Sequence, residues 1–199
     1  MEQVILATAE KLFLEKGFDG TSTTQIAKEA GCNQALVHYY FRTKENLFNS
    51  IFETKFRTFF QNIFDTTQLT NLSFLEKIKH ISRTHFDLLL ANPQMPKLVI
   101  NELSRRKENI NILRDRLHVL PEQLFSLMDN ELQEEISAGR VKNITFIDIM
   151  ISIVSLNVAL FFLKPVVSDV LLLTDEQANQ MLQHRKEENV NIILSYLKP

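Results

Sequence analysis

A short polar stretch near the amino terminus carries side chains suited to hydrogen bonding across a surface. Gln34, His38 and Tyr39 stand at helical spacing, and Tyr40 and Lys44 follow closely. Amide, imidazole and hydroxyl groups can contact base edges in a major groove, whereas hydroxyl and ammonium groups can contact phosphate oxygens. The stretch therefore predicts a DNA-contact surface.

Two short helices must position these side chains. A Ser/Thr run at 21–24 offers an N-cap, and the segment 26–30 forms an apolar stripe at helical spacing. Gly31 can supply the positive φ that ends a helix, Asn33 can cap the next helix, and that helix ends near Phe41. The layout is typical of a helix-turn-helix, whose second helix enters a major groove.

The stretch resembles the DNA-binding domain of the tetracycline-repressor (TetR) family of bacterial transcription regulators. The resemblance covers about residues 4 to 60 and rests on Gly17-Phe18, Thr21-Ser22, Ile26-Ala27, Ala30-Gly31, Tyr40-Phe41, Lys44-Glu45 and Leu47. The sequence departs from the family pattern at Cys32, Ala35, Leu36 and His38.

Two sets of DNA contacts follow. The residues predicted to touch phosphate are Thr23, Thr24, Tyr40 and Lys44. The residues predicted to face base edges are Gln34, Ala35, His38 and Tyr39. Lys44 lies in the first turn of a helix, where a positive charge is unfavourable next to the positive end of the helix dipole. A nearby phosphate would explain why a lysine stands there.

The charge balance of this region is not basic. Residues 1–47 contain five Lys and Arg against six Asp and Glu. A basic footprint is therefore absent, and a helix-turn-helix used only for packing is the alternative interpretation.

The composition of the whole chain indicates an all-α fold. Only 4 of the 199 residues are glycine, and three of these lie within the first 31 positions. Cys32 is the single cysteine, which excludes an internal disulfide and suits a reducing cytoplasm. We expect Cys32 to pack inside the helix-turn-helix, with a redox role as the alternative. The amino terminus shows no secretory leader.

No constellation of residues predicts catalysis, a metal site or a cofactor. The sequence contains no Gly-rich phosphate loop and no His-Glu-x-x-His, and only the pair Asp115 and His118 has a metal-like one-turn spacing. Glu131, Glu134 and Glu135 are expected to form a solvated face. The chain is therefore not expected to be an enzyme.

The remainder of the chain predicts a larger helical domain, so we expect domains at 1–46 and 47–199. A phenylalanine-rich stripe from Leu47 to Phe64 favours a core, with an aromatic ligand site as the alternative. Further helices are predicted up to Asn92-Pro93, from Met95 to Leu103, and from Ile110 to Ala138, the last divided near Pro121.

Two carboxy-terminal helices predict homodimerisation. The segment 146–163 is apolar nearly all round, so both of its faces should be covered, and one chain offers too few helices for that. Its run at 149–163 is too short to span a bilayer, which needs about 20 helical residues, so a buried helix and no membrane are expected. With a last helix near 175–197 it would form a four-helix bundle with a second copy. The predicted interface residues are Leu156, Leu160, Met181, Ile192, Ile193 and Tyr196.

Polar residues among apolar neighbours predict an effector pocket in the larger domain, where the family binds small molecules. Each of these residues could instead be a satisfied polar group of the core. The candidate pocket residues are Phe60, His85, Phe86, Leu89, Asn101, Met128, Met150 and Asn157. The Phe, Met and Ile content favours an apolar or amphipathic ligand.

Taken together, the sequence predicts a cytoplasmic, homodimeric regulator that binds a palindromic operator in double-stranded DNA. We expect a repressor that a small-molecule effector releases by linkage. The competing hypothesis is a helical scaffold or adaptor that binds a protein partner without DNA.

Overall fold

A computed structural model describes residues 1–65, 69–105 and 122–199, and every regular element within these ranges is a helix. The all-α fold class is confirmed. The chain forms two compact units. The first contains residues 1–59 and a segment that begins at Lys97, and the second contains residues 60–96 and the described residues from 122 onward.

Four helices begin the chain. They are α1 (Glu2–Lys16), α2 (Thr23–Glu29), α3 (Gln34–Phe41) and α4 (Lys44–Ile63). The predicted domain boundary between residues 46 and 47 falls within α4, and the functional division at that point stays a prediction.

An aromatic core holds the first three helices to the start of α4. The rings of Phe13 and Phe18 stack with centroids 5.8 Å apart, and the edge of Phe48 meets each of them at 5.2 Å. Ile5 and Leu12 of α1 are buried in the same core. The helix-turn-helix therefore rests on a packed platform, as short helices require.

The caps and turns predicted between α2 and α3 are confirmed. The Ser22 side chain accepts a hydrogen bond from Gln25 N–H, and the Asn33 side chain accepts one from Leu36 N–H. Gly31 has a φ of 69°, which a residue with a Cβ rarely adopts. These three residues fix where α2 ends and where α3 begins.

Five more helices complete the described chain: α5 (Phe74–Ala91), α6 (Met95–Arg105), α7 (Glu122–Ser137), α8 (Phe146–Val170) and α9 (Asp175–Tyr196). Helices α5, α8 and α9 pack against one another, and α7 packs against α5 and α8. The predicted pair at Asp115 and His118 and the first half of the predicted helix from Ile110 lie outside the described residues.

Helix α8 differs from the prediction in length and in burial. It continues through Pro165 to Val170, where the sequence predicted an end at Leu163. Proline is unfavourable in a helix interior because it lacks the backbone N–H. The helix can still continue when the hydrogen bonds before and after the proline are kept. Within the protomer one apolar face of α8 is exposed, so the predicted covering of that face by a second copy stays a prediction. By length and composition alone, the 25 residues of α8 could cross a membrane. This is weak evidence for a membrane span, because core helices of soluble proteins meet the same two criteria.

Candidate nucleic-acid interface and effector region

The outer face of α3 presents a polar and aromatic surface. Val37 and Phe41 are buried against the platform, which turns the opposite side of the helix outward. The predicted base-facing residues Gln34, Ala35, His38 and Tyr39 are all exposed. Among the aromatic side chains that the structure describes in this unit, Tyr39 is the most exposed, at 68%. A large exposed aromatic side chain on a short helix is suited to contact with a partner.

Tyr40 lies at the edge of this face. Its ring meets the Tyr39 ring edge to face, with centroids 5.3 Å apart. The contact restricts both rings while leaving Tyr40 38% exposed. The two phenol groups are therefore held side by side near the carboxyl end of α3.

Gln34 bridges α3 to the beginning of α2. Its Nε2 donates to Thr23 Oγ1 at 3.1 Å, and its Oε1 accepts from Thr24 Oγ1 at 3.2 Å. The structure thus brings together three of the residues predicted to contact DNA. It also shows both ends of the Gln34 amide engaged within the protein.

The Lys44 ammonium is held against the turn that precedes α2. Its Nζ donates to the carbonyl oxygens of Phe18 and Thr21 at 3.0 and 2.9 Å, and lies 4.1 Å from the centroid of the Phe18 ring. An ammonium has three donors, so one N–H is left beyond these two bonds. A phosphate contact by Lys44 stays a prediction, and the structure adds an internal role.

Arg42 joins α3 to α4 in a strained conformation. Its φ is 66° and its ψ is −57°, and Thr43 N–H donates to Phe41 C=O at 2.7 Å across it. These values describe a γ-turn with a positive φ, which is rare for a residue with a side chain. The junction therefore holds the end of α3 at a fixed angle to the first turn of α4.

The second unit contains a buried polar network centred on Asn157 of α8. Asn157 Nδ2 donates to the Ser82 carbonyl and to His85 Nδ1, both at 3.0 Å. Two predicted pocket residues, His85 and Asn157, are therefore in direct contact. Both belong to the core, with exposures of 5% and 0%.

Asn189 of α9 completes this network. Its Nδ2 donates to Asn157 Oδ1 at 2.9 Å and to the Leu156 carbonyl at 3.1 Å, and its Oδ1 accepts from Arg185 at 2.9 Å. Both hydrogens of each asparagine amide are thus used, which fixes the orientation of both groups. The Ser82 hydroxyl is buried and has no hydrogen-bond partner among the residues that the structure describes.

Burial sets the charge state of His85. Desolvation lowers its pKa to about 4, so the imidazole is neutral at neutral pH. Because its Nδ1 accepts from Asn157, the ring proton resides on Nε2. His85 therefore serves as a neutral acceptor within the core.

The other predicted pocket residues are distributed through the second unit. Phe86, Leu89 and Met128 are buried, and Met150 is half-buried. The Phe86 ring lies 5.7 Å from the Phe161 ring. The side chains of Phe60 and Asn101 lie outside the described ones. A common pocket for these residues stays a prediction.

The predicted dimer residues fall into three classes of exposure. Ile192 and Tyr196 are exposed, whereas Leu156, Leu160 and Met181 are half-buried. Ile193 is 2% exposed and packs inside its own protomer. Lys142 Nζ lies 3.2 Å from the centroid of the Tyr196 ring.

Sequence reasoning missed an exposed apolar row on α8. The row extends beyond the predicted interface at spacings of three or four residues, with one step of eight between Val154 and Phe162, and consists of Ile147, Ile151, Val154, Phe162, Val166 and Val170. The helical spacing was visible in the sequence. Which apolar face turns outward was not, because α8 is apolar on nearly all sides.

The expected solvated face of Glu131, Glu134 and Glu135 needs correction at two positions. Glu131 pairs with Lys77 at 2.5 Å, and only 8% of the Lys77 side chain is exposed. Glu135 accepts from Arg140 at 2.7 Å, and this hydrogen bond lowers the pKa of Glu135. Nothing in the sequence indicated that Lys77, which lies on α5 of the same chain, would be buried beside Glu131. Across the residues that the structure describes, no cluster of His, Cys, Asp or Glu could hold a metal ion.

Comparison with known proteins matches these elements. A family profile, "Bacterial regulatory proteins, tetR family", matches residues 5–51. The chain is 25% identical over 138 residues to the fatty acid metabolism regulator protein of Bacillus subtilis, covering 69% of each protein. It is 28% identical over 124 residues to the biofilm operon negative transcriptional regulator IcaR of Staphylococcus epidermidis, covering 59% of this chain and 67% of IcaR.

A likeness to solved structures extends over the whole chain. The crystal structure of the transcriptional regulator FadR from Bacillus subtilis in complex with stearoyl-CoA aligns with a TM-score of 0.62 at 19% identity. The alignment covers 99% of this chain and 100% of that chain. At this identity the likeness concerns the fold. Together with the helix-turn-helix and its exposed α3 face, these matches identify a transcriptional regulator whose residues 5–51 form a helix-turn-helix of the tetR family of bacterial regulatory proteins.

Proposed function

We propose that the protein is a repressor that binds a palindromic operator as a homodimer and that a small amphipathic effector releases it. The observation that carries the proposal is the exposed face of α3, held outward by the burial of Val37 and Phe41. Ala35, His38 and Tyr39 on that face are proposed to contact base edges. The short helix could not hold this face without its platform.

The phosphate contacts are proposed at the margin of the same face. Tyr40, Thr23 and Thr24 carry hydroxyl groups, and the Lys44 ammonium has one N–H beyond its two carbonyl partners. Such contacts position a protein on the duplex without reading its sequence. Neutralising one phosphate per half-site should release about one counterion from each.

The effector is proposed to be a long-chain acyl thioester of coenzyme A. Two observations support this class: the similarity to a fatty acid metabolism regulator, and the fold shared with a regulator in complex with stearoyl-CoA. The apolar interior around Phe86, Leu89 and Met128 suits an acyl chain. An effector that binds more tightly to the conformation with lower operator affinity weakens DNA binding by the same free energy.

The protein is proposed to act in the cytoplasm and to have no enzymatic activity. Its relatives are regulators of transcription, which supports both statements. A scaffold that binds only proteins is the competing function, and duplex binding separates the two.

The proposal is tested by measuring duplex binding across a salt series, with and without palmitoyl-CoA. We expect operator affinity to fall steeply with salt and to fall further with palmitoyl-CoA, whereas coenzyme A alone should have no effect. Lys44→Ala should lower the salt slope by about one per half-site. An unchanged slope would assign Lys44 to its internal role alone. Operator affinity that no acyl-CoA alters would contradict the effector class.

A further inference from the structure

The amide of Gln34 is engaged at both ends by the protein itself. An amide that reads adenine must present its Nε2 and its Oε1 to the base together. Here Nε2 donates to Thr23 Oγ1 and Oε1 accepts from Thr24 Oγ1. A base that took the place of the two hydroxyls would require both hydrogen bonds to break, although Nε2 keeps a second hydrogen and Oε1 a second lone pair.

The two hydrogen bonds run in opposite directions and give the threonines different roles. Thr24 uses its hydroxyl proton to donate to Gln34, so it can offer only lone pairs to another group. Thr23 accepts from Gln34 and keeps its own proton. Among the described residues no hydrogen bond uses the Thr23 proton. Thr23 is therefore the hydroxyl left with a proton to donate to a phosphate oxygen.

We propose that Gln34 is a positioning residue that holds Thr23 as the hydroxyl donor to a DNA phosphate and does not read a base. The inference rests on the proposed DNA binding. It replaces the contact with a base edge that the position of Gln34 on the outer face of α3 had predicted. It divides the neighbouring threonines into one donor, Thr23, and one anchor for the glutamine, Thr24, and so replaces the phosphate contact proposed above for Thr24.

The test compares four variants on a bound duplex selected from random DNA and on every single-base-pair substitution of that duplex. Gln34→Met keeps the length of the side chain and removes its hydrogen bonds. Thr23→Val and Thr24→Val remove single hydroxyls at adjacent positions and serve as matched controls for each other. The fourth variant combines Gln34→Met with Thr23→Val. Thermal unfolding checks that each variant is folded.

We expect Gln34→Met to weaken every duplex by the same factor, about 5- to 10-fold per half-site, which is the effect of about one hydrogen bond. The ranking of the substituted duplexes should not change. Thr23→Val should give a similar loss and Thr24→Val a smaller one. The double variant should bind no more weakly than Thr23→Val, because Gln34 acts through Thr23.

Three results would overturn the inference. Gln34→Met could change the preference at one base pair, which would make Gln34 a base reader. Gln34→Met could weaken binding by the same factor when Thr23 is already valine, which would show that it does not act through that hydroxyl. Thr24→Val could cost as much as Thr23→Val, which would reject the division between them. A wild-type protein that binds no duplex would instead overturn the proposed function, and this inference with it.

Discussion

At the scale of single residues, His85 links stability to pH. Its usual pKa is about 6.5 and burial lowers it to about 4, so between these values the unfolded chain binds the proton more readily than the folded chain. The contribution is fully present above pH 6.5 and is lost as pH falls to 4. The loss amounts to about 3 kcal/mol, from about 1.4 kcal/mol per pKa unit.

Chemical denaturation at a series of pH values measures this linkage. The free energy of unfolding should fall between pH 6.5 and 4 in the wild type, and the fall should be smaller by about 3 kcal/mol in His85→Gln, which is neutral throughout. Parallel curves for the two proteins would show that His85 is not the linked group.

The buried amide network is a second determinant of stability at this scale. Asn157→Leu would remove the hydrogen bonds that Asn157 makes with the Ser82 carbonyl, with His85 Nδ1 and with the Asn189 amide, all within the core. We expect a loss of about 2–4 kcal/mol in the free energy of unfolding. Asn191→Leu, at an exposed asparagine of α9, is the control and should change it by less than about 0.5 kcal/mol. Equal losses would contradict a specific role for the network.

At the scale of elements, the strained turn at Arg42 predicts that glycine would stabilise the protein. Glycine adopts a positive φ without the steric cost of a Cβ, so Arg42→Gly should raise the free energy of unfolding by about 1 kcal/mol. Arg42→Ala also removes the side chain but keeps the strain, and should give no such gain. A gain of equal size in both variants would point to the arginine side chain and not to the backbone.

The elements themselves were largely predictable from the sequence. Ser22, Gly31 and Asn33 encode caps and a stop within a few residues, so the bounds of α2 and α3 followed from local chemistry. The end of α8 did not follow, because Pro165 is a local signal for a stop and the helix continues through it.

Pairings between distant residues were harder to predict than the helices. His85 and Asn157 were chosen as polar residues among apolar neighbours, and the structure joins them. Asn189 was not among the predicted pocket residues, and the Gln34 bridge spans two helices. Such contacts depend on how helices pack, which a residue pattern does not specify.

At the scale of the whole molecule, the exposed row on α8 is the proposed centre of the dimer interface. Ile151 is 57% exposed in the protomer, so Ile151→Asp should leave the protomer folded while placing an unpaired charge in the interface. We expect ultracentrifugation to show a monomer for this variant and a dimer for the wild type.

Ile193→Asp is the contrasting variant. Ile193 is 2% exposed, so a charge there should unfold the protomer and not merely separate two copies. A wild-type monomer at micromolar concentration, or an Ile151→Asp protein that stays dimeric, would contradict the proposed interface.

The central claim is that this protein reads operator DNA as a symmetric dimer. Its most direct test is to select bound sequences from random double-stranded DNA with the purified wild-type protein. We predict enrichment of a palindrome whose half-sites are centred about one helical turn, or a multiple of it, apart. Tyr39→Ala should alter the selected bases at equivalent positions of both half-sites. Selection that enriches no sequence, or only sequences without twofold symmetry, would contradict the account.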